Sequence, residues 1–74
     1  MYFYVVTVEG APILVNPSDD MVAPVVIRKT RCGLTDISNP EIRFRHIIED
    51  VCVHSGIDAQ GVSVLAYSVE KVEM

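Results

Sequence analysis

Both histidines of the chain fall in the stretch EIRFRHIIEDVCVHSG, residues 41–56, where His46, Asp50 and His54 follow one another at four-residue steps. On a helix this spacing stacks the three side chains along one ridge. Two imidazoles and a carboxylate are donor types found in zinc sites, and they are also the parts of a proton relay. Helix geometry limits the first option. At ~1.5 Å rise per residue the histidines stand ~12 Å apart along the axis, while zinc bonds its ligands at ~2.0–2.3 Å. One ion cannot take both.

His46 with Asp50, or Asp50 with His54, supplies two ligands where a site needs three or four, and no third histidine exists. As a relay, Asp50 would favour the imidazolium form of either neighbour. Nothing resembling a G-x-S-x-G nucleophile turn accompanies it. The sequence therefore predicts no catalytic set, no metal and no cofactor. The ridge reads as surface pairing of the i, i+4 kind, worth roughly a few tenths of a kcal/mol. Val53 lies on the same outward side, beside His46 and Glu49. His46, Glu49, Asp50, Val53 and His54 are thus the candidate contact surface.

The helix that must carry this ridge is well signalled. Ser38 and Glu41 match an S-x-x-E capping box, with Ile37 and Ile42 placed as a hydrophobic staple. Pro40 suits a first turn. Gly56 fits the left-handed position after the last turn, where Ile57 can fold back on Val51 or Cys52. These bounds predict a helix from about residue 39 to 55. Its inner face is Phe44, Ile47, Ile48, Val51 and Cys52.

The rest of the chain reads as strands. YFYVVTVE, residues 2–9, is aromatic and β-branched, with both faces starting apolar, which predicts a strand well inside a sheet. A short strand is expected at Ile13–Val15 after the Gly10–Pro12 turn. One capped helical turn from Ser18 or Asp19 would stop at Pro24. Residues 25–32, VVIRKTRC, form a strand with a charged end, expected either to protrude from the sheet or to form an edge where bases discourage aggregation. Residues 62–72, VSVLAYSVEKV, are apolar on both sides at first and are expected centrally. The order is β-β-β-α-β: a single α+β domain over 1–74, with a small, mostly antiparallel sheet of three to four strands and one amphipathic helix on one face.

Composition narrows the function classes. The 74 residues are half apolar, so a core is available, but a chain this short has a thin stability margin and self-association is expected to help it. A net charge of −4 disfavours nonspecific binding to nucleic acid or anionic membranes. The charge is segregated, however. Arg28, Lys29, Arg31, Arg43 and Arg45, set against Asp36 and Glu41, give residues 28–45 a charge of +3, leaving −7 elsewhere. Cys32 and Cys52, with nineteen residues between them, form no CxxC pair and read as small buried hydrophobes in a reducing compartment. The apolar N-terminal run stops at Thr7, too short for a signal peptide or a span. A cytoplasmic protein is expected, with no membrane contact.

There is no Gly-rich phosphate loop, no aromatic–basic RNA-reading strand and no heptad run. In size, acidity and architecture the chain resembles small phage proteins that modulate host enzymes or defence systems. That resemblance implies a non-enzymatic module acting by occupying a partner's surface. The alternative is a nucleic-acid-associated protein presenting the basic cluster to phosphates.

Overall fold

The structure, a computed structural model, describes residues 1–13 and 26–73. Three strands and one helix follow in the order β1 (Tyr2–Gly10), β2 (Ile27–Thr35), α1 (Pro40–Ser55) and β3 (Ser63–Lys71). The sheet order is β2-β1-β3, with β1 antiparallel to both neighbours. The α+β class is as expected, and β1 is the central strand.

β2 and β3 run parallel to each other without being adjacent. The connection through α1 is therefore a crossover that passes β1. Of the expected extra strand, Ile13 lies outside any strand and residues 14–15 lie outside the described residues, as does the expected turn from Ser18 or Asp19. Pro12 instead makes a single antiparallel bridge to Ile57. Ile13 N donates to Gly56 O and Asp58 N to Ala11 O, which ties the end of β1 to the end of the helix.

The last strand is an edge, not the centre. Apolar residues on both sides do not by themselves mark a central strand, and among the described residues no element covers the face opposite the helix. A bulge interrupts its ladder between Thr7 and Val8, whose partners are Ala66 and Val64, so Leu65 is the extra residue. Bulges of this kind are common at edges. β2 is the other edge, as expected, though it runs on to Thr35 because Gly33 and Leu34 continue the ladder opposite Tyr4 and Phe3.

The helix starts one residue later than the capping box requires. Asn39, not Ser38, is the N-cap, and its Oδ1 accepts from Glu41 N at 3.0 Å and Ile42 N at 3.1 Å. Pro40 explains the shift. A residue before proline is pushed out of helical space, and Asn39 sits at φ −73°, ψ 120°. With the cap moved, Ile37 and Ile42 no longer hold staple positions. The C-terminal end is as expected: Gly56 adopts φ 70°, Gly56 N donates to Val53 O, and Ile57 N donates to Cys52 O at 2.9 Å. This is a Schellman closure.

Ile47, Ile48, Val51 and Cys52 pack against Tyr4, Val6 and Val8 of β1, with Ile57 closing the end. Phe44, expected on the inner face, lies at its margin. It remains 39% exposed and meets Tyr67 edge-on at 4.8 Å between ring centroids.

Candidate functional site

The helix holds His46, Asp50 and His54 where the periodicity puts them, all exposed. His54 Nδ1 lies 2.8 Å from Asp50 O and 3.3 Å from Asp50 Oδ1. With its proton on Nδ1, the ring donates to the carbonyl one turn back, and when charged it also pairs with the carboxylate. This is local helix chemistry at the C-terminal turn, where a cation is favourable. Among the described residues no three His, Cys, Asp or Glu side chains gather as a metal-binding group. Glu49 flanks the ridge, and Val53 stands out beside it at 71% exposure.

The five bases are placed on different surfaces. Arg28 pairs with Glu9, through Nη2 at 2.8 Å and Nε at 2.9 Å from the same carboxylate oxygen. Lys29 and Arg31 oppose Val8 and Val6, so they share the helix side of the sheet at its β2 edge. Arg43 lies 4.2 Å above the Tyr2 ring, and its Nη1 donates to Ile37 O and Ser38 O. It is thereby a brace between the helix start and β1. Arg45 is exposed on a shallow groove with Pro40, Glu41 and Phe44.

Burial decides the chemistry of two groups under the helix. It pushes the Tyr4 phenol up, with Asp50's charge adding to the rise and Arg31 opposing it. It also pushes the Cys52 thiol up, helped by Asp58. Both groups are held in their neutral, unreactive forms. Cys52 is buried as expected, whereas Cys32 is exposed. That is a correction, because Cys32 faces the side of the sheet opposite the helix.

That opposite side is what the sequence reading missed. On β1, Val6 and Val8 are 0% exposed on the helix side, while Phe3 and Val5 are each 37% exposed on the other. Leu34 and Cys32 flank them on β2, and Ala66 lies beside Thr7 on β3. A clue was present in the sequence: one helix can cover only one face, yet both faces of YFYVVTVE begin apolar. Four polar residues of this face meet in two pairs, while Ser68 and Glu70 of β3 stand opposite Val5 and Phe3 on the same side. Thr7 Oγ1 and Thr30 Oγ1 are 2.8 Å apart, and Arg28 meets Glu9.

Similarity to known proteins does not add to this geometry. No protein-family model, curated protein or solved structure matches the chain. Among the described residues, no helix is long and apolar enough to cross a membrane.

Proposed function

We propose that this protein is a small non-enzymatic interaction module that acts by binding another protein's surface. Modulation of a host protein by a phage or prophage accessory factor is the setting its size and acidity resemble, and the cytoplasm is its place of action. The observation that carries the reading is the surplus of exposed apolar surface on both outward sides. On the sheet it is Phe3, Val5 and Leu34, and on the helix it is Val53 amid His46, Glu49, Asp50 and His54. Apolar side chains rimmed by polar ones mark contact surfaces more often than catalytic ones.

The test is reconstitution with a protein captured from the native host. Val53→Asp is expected to weaken the complex while changing stability by no more than about 0.5 kcal/mol, because the residue is already in solvent. A chain that binds no protein yet turns over a substrate would end the reading. The phosphate-binding alternative has less behind it, since Arg28 is engaged by Glu9 and Arg43 by Tyr2 and two carbonyls. It predicts duplex binding that falls steeply with salt and is lost on Arg45→Ala and Arg31→Ala.

A further inference from the structure

The two edges of the sheet differ. β3 carries the bulge at Leu65, which breaks the even row of backbone groups that an added strand needs. β2 pairs with β1 without interruption over nine residues, from Ile27 opposite Gly10 to Thr35 opposite Tyr2. In such a ladder every second residue of β2 turns its N–H and C=O toward β1. The alternate ones, about four, present both groups outward. Among the described residues no strand pairs with that side.

The side chains along this edge select a partner by charge. Lys29 and Arg31 stand on the helix side, ~7 Å apart along the strand, and both are exposed. Among the described residues neither has a salt-bridge partner, unlike Arg28, which Glu9 neutralises. The next residue on that side is Gly33, and the Tyr4 ring crosses it, so the phenol hydroxyl reaches over β2. That hydroxyl keeps its proton as a donor. Asp50 is the acid felt there from the helix, and its carboxylate already has His54 at 3.3 Å. On the other side of β2, Cys32 and Leu34 are exposed and apolar. A second β2 would bring bases against bases, which is unfavourable across a ladder.

We propose that the outer edge of β2 is a strand-addition site for an extended segment of another protein in which acidic and apolar residues alternate. The backbone ladder supplies affinity and the alternate side chains supply selection. Carboxylates on one face of the added strand meet Lys29, Arg31 and the Tyr4 hydroxyl. Apolar side chains on its other face lie beside Cys32 and Leu34. This deepens the contact reading, on which it rests for a protein partner, by naming an edge and the chemistry it takes.

The probe is a labelled peptide of about ten residues, Glu and Val alternating, titrated by fluorescence anisotropy at low salt. Binding is expected with Kd on the order of 100 μM. Lys29→Glu and Arg31→Glu, both at exposed positions, should each weaken it about 10-fold, and Tyr4→Phe about 5-fold. Arg45→Ala and Val53→Asp should leave it unchanged. Two further peptides carry N-methyl groups on every Glu or on every Val nitrogen, which keeps the charge and blocks one lateral row of donors. One of the two should lose binding and the other retain it, a comparison that requires no variant to fold. No binding up to about 1 mM, or equal binding of both methylated forms, overturns the proposal and leaves the contact reading standing at its apolar surfaces. Tighter binding to duplex DNA of similar charge overturns both in favour of phosphate recognition.

Discussion

Replacing Gly33 by alanine tests how β2 is held against β1. Gly33 stands opposite Tyr4, whose ring lies across it. A Cβ at Gly33 would fall 2.7 Å from Tyr4 Oη, 2.9 Å from Cζ and 3.1 Å from Cε2. Tyr4 is a core residue packed among Val6, Ile47 and Val51, so the ring has little room to retreat. Overpacking of this kind costs about 1–3 kcal/mol. Glycine in a strand is itself unfavourable by about 0.5–1 kcal/mol relative to alanine, so part of that cost is returned. The net expectation is a loss of about 0.5–2 kcal/mol. In a domain of this size that lowers Tm by about 2–16 °C.

Urea unfolding followed by far-UV circular dichroism measures the change without relying on tyrosine emission. Repeating Gly33→Ala in a Tyr4→Leu background removes the ring, and the sign should reverse to a gain of about 0.5 kcal/mol. A stabilising Gly33→Ala in the wild-type chain, or an equal effect in both backgrounds, would refute the packing argument.

Other perturbations check separate parts of the account. Asn39→Ala should cost about 1 kcal/mol by chemical denaturation, while Ser38→Ala stays within about 0.5 kcal/mol, which places the cap at Asn39. A thiol reagent should modify Cys32 at once, and Cys52 only at the rate of unfolding; prompt modification of both would mean the helix does not cover Cys52. Stability should fall at high pH. The folded-state Cys52 and Tyr4 values are raised above the ordinary 9.0 and 10.0. The folded state therefore holds these protons longer, so their contribution is full below those values and is lost as pH rises through the raised ones. Tyr4→Phe should flatten the upper part of that decline in urea midpoints, and an unchanged profile would contradict burial of the phenol.

The helix was legible to within a residue because its ends are written in local chemistry, with Pro40 after Asn39 at one end and Gly56 before Ile57 at the other. The S-x-x-E motif points to Ser38, but the constraint proline places on its neighbour puts the cap at Asn39. The centrality of β1 was legible for a similar reason, since its apolar residues occupy both faces. The position of β3 was not, because apolar character alone does not distinguish a covered face from a bare one. The outward placement of His46, Asp50, Val53 and His54 followed from helical periodicity. The open face did not, because it is assembled from β1, β2 and β3 in a register that no local pattern specifies.

The most direct test of the central claim is a titration of this protein with a protein captured from its native host, followed in amide and methyl NMR spectra. If the outward apolar surfaces are contact surfaces, shifts should gather on Phe3, Val5 and Leu34 or on Val53 with its neighbours His46, Glu49, Asp50 and His54. Spectra that no captured protein changes, or shifts confined to residues away from both surfaces, would contradict it.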